Sequence, residues 1–518
     1  AATVSVADGE EIKRVSPAHP SEILNRQAGV HVNNLAGEGH MTAIRQPITT
    51  GGVYLYLEDG LPTRPTGFFN HNALYEVNVP QADRLEVTKG PGSALYGSDA
   101  IGGIINSMTK PAPEKAELMI NPEVGAHGWK RLLISGGQPI NVDTGYRLDL
   151  NITDAGGFRD ESDYKRASST LRLDGFVNDE TSYKTIVSAS HIEQSGVSSL
   201  EKGDYKNNTT KNFFHGDIGA REVTAIRLSS EFSYEPDDDS LISITPFYRH
   251  NKMEMMPSWM VSYDPNARVY EFDSFGVQSK YRVDITGGVQ LIAGLDLDYT
   301  PSSYFEEKGS LTTNTLGIHT SFNRDGDVSY DYDADQQSIS PYIHSEWQVS
   351  KALRLNAGLR YDYFKVKYEN EVGETTSTAV RPENQDVDHD HLSPKLGAIL
   401  QLNDDHNIYV NYHHAFRAPS VGQLFRSGKS INSTELNPVK ADSYELGLRG
   451  RLSASLNYDL TAYVMQVKDD IVSIFDGTDR KSTNAGETVH KGIELSLSGK
   501  VVDELGFNLA FSYTEHEY

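Results

Sequence analysis

Apolar and polar residues alternate singly along most of the chain. Leu353, Leu355, Ala357, Leu359, Tyr361 and Tyr363 are interleaved with Arg354, Asn356, Gly358, Arg360 and Asp362. A period of two sends successive side chains to opposite faces, so the segment reads as a strand with one apolar face. The same alternation recurs over residues 146–152, 289–299, 456–464 and 507–513. From about residue 117 onward, segments of 8 to 12 residues in this pattern are followed by a turn or a longer polar stretch. Each is long enough to cross a bilayer, since a tilted spanning strand takes about 9 to 11 residues.

The first part of the chain has another texture. Up to about residue 112, short apolar runs mix with dense glycine and proline, as in Gly51-Gly52, Gly90-Pro91-Gly92 and Gly102-Gly103, and Ser21-Glu22-Ile23-Leu24-Asn25-Arg26 suits a helix. This pattern predicts a compact α+β domain over 1–112. Thr109-Lys110-Pro111-Ala112-Pro113-Glu114 breaks regular structure, and a β-barrel is expected over 113–518.

Polar inserts separate many of the strand pairs. The acidic stretches at 235–239, 324–335 and 383–391 read as long loops, in the manner of a membrane barrel with tight turns at one rim and extended loops at the other. Tyr is abundant, 28 against 18 Phe and 3 Trp, and recurs at strand ends such as Tyr361, Tyr363, Tyr368, Tyr409, Tyr412 and Tyr463. Interfacial aromatic girdles would use it so, although tyrosines on the faces of a soluble β-sandwich or propeller would give a similar count. No repeat of fixed period is present, against a propeller or solenoid.

Composition narrows the function. The net charge of −25 leaves no electrostatic footprint for nucleic acid. The absence of cysteine removes thiolate metal sites, cysteine nucleophiles and disulfides. A mean hydropathy of −0.49, with no run of 18 apolar residues, excludes transmembrane helices but not a barrel, where only alternate side chains face lipid. The opening Ala1-Ala2-Thr3-Val4 has neither a basic nor an apolar leader region and reads as a mature terminus. Catalytic constellations such as Gly-x-Ser-x-Gly, His-Glu-x-x-His or Ser-x-x-Lys are missing from any credible setting, and Gly90-Pro91-Gly92-Ser93 lacks the Gly-Lys-Ser/Thr ending of a phosphate loop. No enzyme, cofactor or resident metal is expected.

Several runs together resemble the TonB-dependent receptors. In the first hundred residues they are the helix leading into Ala28-Gly29-Val30, then Thr42-Ala43-Ile44-Arg45, Leu57-Glu58-Asp59-Gly60-Leu61-Pro62, Val87-Thr88-Lys89-Gly90-Pro91 and Ser93-Ala94-Leu95-Tyr96-Gly97-Ser98-Asp99-Ala100-Ile101-Gly102-Gly103. Further on they are Phe416-Arg417-Ala418-Pro419, Leu436-Asn437-Pro438 with Tyr444-Glu445-Leu446-Gly447, and Asn484-Ala485-Gly486 with Gly492-Ile493-Glu494-Leu495. The resemblance implies a membrane β-barrel of the 22-stranded type, with C-terminal strands missing after Tyr518, and an N-terminal plug inside its lumen. It further implies outer-membrane location and import driven by TonB with ExbB and ExbD, the TonB-contacting box lying ahead of residue 1.

In that family two basic plug residues meet two glutamates of the inner wall, and the matching positions are Arg45 and Lys89 with Glu445 and Glu494. Glu494 lies between Ile493 and Leu495 in an alternating strand, so it faces the lumen if they face lipid. Two positions depart from the pattern: Gln46 follows Arg45 where glycine is usual, and Lys89 stands where arginine is commoner.

The implied ligand is a scarce, bulky nutrient such as a ferric siderophore, held between plug loops 34–40, 47–50 and 64–71 and the outer barrel loops. Candidate contacts are His40, Thr49, Arg64, Phe68, Phe69 and His71, the last four pairing a cation with aromatic faces suited to an anionic aromatic chelate. The alternative for Phe68 and Phe69 is packing under a barrel loop. Haem, cobalamin, copper and zinc are rival cargoes, and a passive porin or adhesin is a rival class that the plug motifs oppose. Residues 420–436 contain no histidine, which lowers haem. His389 and His391 among aspartates suit a divalent ion or a solvated loop, and Met253, Met255, Met256 and Met260 suit copper(I) or plain packing.

Overall fold

A computed structural model describes residues 4–68, 72–285, 287–372, 380–426, 433–475, 480–502 and 505–518. Among the described residues, eighteen strands from Glu117–Val124 to Leu505–Glu517 wrap into a barrel, almost all antiparallel to their sequence neighbours. The strands Val289–Thr300 and Ser302–Thr313 lie end to end between the same two partners, with Thr300 against Gln336 and Ser303 against Asp333. Pro301, which has no amide hydrogen for the ladder, marks the break between them.

The alternation read from the sequence is inverted relative to a water-soluble sheet. On Leu353–Asn370, Leu359 and Tyr361 are each 39 % exposed on the outside, while Arg360 and Asp362 are buried toward the centre. Leu228, Ile244, Leu396, Val410, Leu446 and Ile493 likewise face out, and Arg227, Ser243, Asn411, Glu445 and Glu494 face in. An apolar exterior with a polar interior is the arrangement a membrane barrel requires.

Tight turns and long connections occupy opposite rims. The pairs Asp179-Glu180 and Asp238-Asp239 close one rim, while segments 195–220, 256–265, 418–426 and 433–438 lie at the other. The acidic stretches differ from the expectation of long loops. Residues 235–237 end a strand with 238–239 as its tight turn, 324–335 lie within the strand His319–Gln348, and most of 383–391 belongs to Gln385–Gln401. The physical reason is strand length: His319–Gln348 has 30 residues, and at about 3.3 Å each it extends far beyond the roughly 30 Å hydrocarbon layer. Past the apolar band, carrying Ile339, Ile343 and Trp347, nothing penalises charge on a continuing strand.

The N-terminal domain is built on a five-stranded sheet in the order Val4–Asp8, Arg84–Lys89, Gly103–Met108, Tyr54–Glu58, Leu61–Pro62, with Val30–Asn34 and His40–Ile44 as a separate hairpin. Asp8 caps the helix Gly9–Val15 by accepting from the Glu11 amide at 2.8 Å. Ile12, Leu24, Ile44, Leu74, Leu85 and Ile105 fill its core. The domain sits within the barrel and bonds to its wall on many sides. Gln81 reaches Ser135, Glu38 reaches Arg166, Glu58 reaches Ser188, and Arg45 reaches Glu445 and Glu494. It is a plug in the lumen of the barrel.

Candidate functional site: the plug–wall contacts and the loop-side cavity

The matched plug cations and wall glutamates converge at one point. Arg45 donates from Nε to Glu494 Oε1 at 2.9 Å and from Nη2 to Oε2 at 3.1 Å, while Nη1 pairs with Glu445. Lys89 Nζ donates to the Ala28 carbonyl at 2.7 Å and reaches Glu494 Oε2 at 3.3 Å. Asn411 Nδ2 donates to the other Glu445 oxygen at 3.0 Å, and the Arg45 guanidinium lies 4.4 Å from the Tyr463 ring centre. All four ionic residues are only 3 % exposed. A buried charge is tolerable only when paired and hydrogen-bonded, and here each carboxylate has a guanidinium partner and further donors where needed.

The backbone is shaped around this cluster. Arg45 has φ +56°, a left-handed conformation that is uncommon for a non-glycine residue. Gly29, at φ +75°, leaves the space beside Glu494: a Cβ there would collide with Oε1. The Gly29 of the sequence motif is therefore required by wall contact as well as by the turn. Lys89 makes the lesser contact and Arg45 bridges both glutamates, as a guanidinium fork can and an ammonium cannot.

Sequence reading missed a second buried charge cluster, on another sector of the wall and with opposite polarity. Here the plug supplies the acids. Glu76 accepts from Arg64 Nε at 2.8 Å and from Asn251 Nδ2 at 2.9 Å, and Arg227 Nε donates to Glu58 at 3.0 Å. Arg166 of the wall pairs with plug Glu38 at 2.8 Å. Inward parity of Arg166 and Arg227 on alternating strands was the available signal.

The described plug-loop candidates, His40, Thr49, Arg64 and Phe68, do not gather into one site. Arg64 is buried and turned to Glu76 and the Tyr75 hydroxyl. His40 is 0 % exposed, its Nδ1 3.1 Å from the Glu38 carbonyl and its ring edge-on to Tyr56 at 5.9 Å. Burial pushes its pKa down to about 3, with His19 acting in the same direction. Thr49 is half-buried, and its hydroxyl accepts from the Gly51 amide at 2.9 Å. Phe68 packs edge-on against Phe272, centroids 4.8 Å apart. Phe69 and His71 lie outside the described residues.

A cavity of about 1470 Å³ lies instead between plug loop 34–41 and the wall connections at the long-loop rim. Trp129, Phe158, Tyr164, Trp259 and Met256 bring apolar surface to it, and Arg221 brings a cation. Among the described residues Arg221 has no carboxylate within ion-pair distance and its Nε has no hydrogen-bond partner. Aromatic faces beside an uncompensated guanidinium suit a flat anionic ligand. The sequence hinted at this set only through the placement of two of the three tryptophans in barrel connections.

The metal readings find other roles. Met253, Met255 and Met256 are buried in apolar clusters, with the Tyr75 hydroxyl 3.7 Å from the Met253 sulfur. His391 Nε2 meets His414 Nε2 at 2.8 Å, and His414 Nδ1 meets Asp442 at 2.8 Å. Among the described residues no group of three or more such side chains is placed to hold a metal ion.

Phe416-Arg417-Ala418-Pro419 seats on the plug. The Phe416 carbonyl accepts from the Asp99 amide at 3.3 Å, the Ala418 amide donates to Ser98 Oγ at 3.0 Å, and the Val421 amide donates to the Gly67 carbonyl at 3.0 Å. Burial raises the Asp99 carboxyl to about 6, against the opposing pull of Arg417.

Comparison with known proteins fits this architecture. The chain resembles the unliganded ferric citrate transporter FecA at 17 % identity and a TM-score of 0.81, over 100 % of this chain and 78 % of that one. It resembles the closed form of the ferric-catecholate import receptor Fiu from E. coli K12 at 17 % and 0.76, over 99 % and 80 %. It resembles the ferric yersiniabactin uptake receptor FyuA from Yersinia pestis at 14 % and 0.77, over 100 % and 79 %. At these identities the likeness establishes the fold. These are transport receptors, not enzymes. The TonB-dependent receptor plug domain matches residues 1–104 and the TonB-dependent receptor-like β-barrel matches residues 138–518, so the chain belongs to the TonB-dependent receptor family.

Proposed function

We propose that this receptor imports a bulky, scarce nutrient across a bacterial outer membrane, that the nutrient is a ferric siderophore, and that TonB, energised by ExbB and ExbD, drives the import. The observation that carries the reading is the cavity between plug and long loops, with Arg221 beside Trp129, Phe158 and Trp259. Negative charge on a metal chelate pairs with the guanidinium, and its flat rings stack on the aromatic walls.

In this reading the Arg45–Glu445–Glu494 cluster holds the plug across the bore at rest. Ligand captured at the loop rim must pass it, so passage requires energy to part buried ion pairs. The reading is tested by growth of an iron-limited receptor-deletion strain, with and without this gene, on a panel of ferric siderophores, haem, cobalamin and copper or zinc salts. Gene-dependent growth on one or more ferric siderophores is expected. Growth restored only by haem or cobalamin transfers the cargo assignment to that class.

A further inference from the structure

A furrow lies on the outer face of the barrel, away from the plug, and the strand register explains it. Trp347 pairs with Leu355, Leu355 with Ala398, and Ala398 with Val410. One step along, Ser345 pairs with Ala357, Ala357 with Leu396, and Leu396 with Tyr412. These positions share outward parity: Leu396 is 56 % and Val410 52 % exposed, whereas Asn356 and Asn411 between them are buried toward the plug. Two alanines fall on the diagonal between larger side chains. The result is a depression of about 520 Å³, walled by Trp347, Leu355, Leu396 and Tyr412, with no charged side chain in its lining.

We propose that this furrow holds one acyl chain of an anionic phospholipid as a stoichiometric bound lipid. The proposal rests on the membrane-barrel reading and adds a binding site to it. Water is a poor occupant, because a held water needs two to four polar partners and this lining offers few. Hydrocarbon suits it, since the furrow is continuous with the exposed apolar band carrying Ile339, Ile343 and Leu359. A flat wall touches a lipid chain on one side only, and a furrow encloses it on three.

The ends give the chain a direction. Trp347, 46 % exposed, stands beside the tight-turn rim, where an amphipathic ring sits at headgroup level. Lys351 lies exposed in the adjoining turn, with no carboxylate partner among the described residues, and places a cation where a lipid phosphate would lie. Tyr412 and Tyr444, with ring centroids 5.3 Å apart, border the other end.

The molecule supplies its own reporter. Trp347 is one of three tryptophans, so Trp129→Phe and Trp259→Phe leave it alone to report quenching by acyl-brominated phosphatidylglycerol added to the detergent-solubilised receptor. Saturable quenching at one lipid per chain is expected. Ala398→Phe or Ala357→Leu, filling the furrow from outside, removes the saturable phase, and Lys351→Glu raises the half-saturating lipid concentration roughly tenfold. Quenching that grows linearly with lipid, or a saturable phase unchanged in both filled variants, overturns the proposal. So does a dimer that the filled variants lose, because the occupant is then a second copy. A receptor that stays in solution without detergent overturns the membrane reading itself, whereas linear quenching in micelles removes only the lipid site.

Discussion

Arg45 and Glu494, 449 positions apart in the chain, share two hydrogen bonds of 2.9 and 3.1 Å in the bore of the barrel. Glu445 closes the other side of the same guanidinium. One plug residue therefore balances two wall carboxylates, and its removal takes the guanidinium from both, leaving Lys89 as the cation beside Glu494.

Arg45→Ala is expected to weaken docking of plug to barrel by about 3–5 kcal/mol, the usual cost of removing one partner of a buried ion pair. Protease sensitivity of the plug under a urea gradient reads this out. A double-mutant cycle is expected to give stronger coupling for Arg45 with Glu494 than for Lys89 with Glu494, whose single contact is 3.3 Å. Equal couplings would contradict the bridging role of Arg45.

Glu76→Gln is expected to be as damaging on the other wall sector. Arg64 and Arg227 then face each other near an amide instead of a carboxylate, and a loss of about 3 kcal/mol follows in the same urea assay. A change within about 0.5 kcal/mol, typical of surface positions, would remove this cluster from the account.

Acid is expected to destabilise the plug from near pH 6.5 downward. His40 stays neutral in the folded plug until about pH 3, while the unfolded chain protonates it near 6.5. Below 6.5 the unfolded state thus binds more protons, and stability falls with pH by an amount on the order of 5 kcal/mol. Asp99, raised to about 6, acts oppositely and over a narrower window, adding stability as pH falls from 6 toward 4. Glu38, His19, Arg64 and Arg221 surround His40 and shape the curve. His40→Gln should flatten the acid limb of a thermal-unfolding series, and an unchanged limb would acquit His40.

Arg221→Gln is expected to lower affinity for an anionic ferric chelate by roughly 10- to 100-fold, the scale of one charge-assisted contact. Ligand titration in detergent measures it. Unchanged binding would move the anion site away from the cavity.

Much of this was legible in the sequence because a barrel wall obeys a period of two. Inward parity of Glu494 followed from its apolar neighbours, and the strand at Leu353–Asn370 was plain from alternation alone. Loops were less legible: charge at 324–335 resembles a loop in composition, yet a strand beyond the apolar band carries charge freely. The cavity was least legible. Arg221 opens a strand while Trp129 and Trp259 lie in separate connections, and the three meet only when the barrel curves, whereas the nearby run from Arg64 to Phe68 is drawn apart by pairing with Glu76 and packing on Phe272.

On the proposed function, import past the seated plug needs energy. Radio-iron uptake from a ferric siderophore, measured in receptor-deletion cells expressing this chain with and without TonB, tests it most directly. Uptake that requires both the chain and TonB is the predicted result. Equal uptake in cells lacking TonB would contradict the account, because a seated plug admits no ligand without a pull.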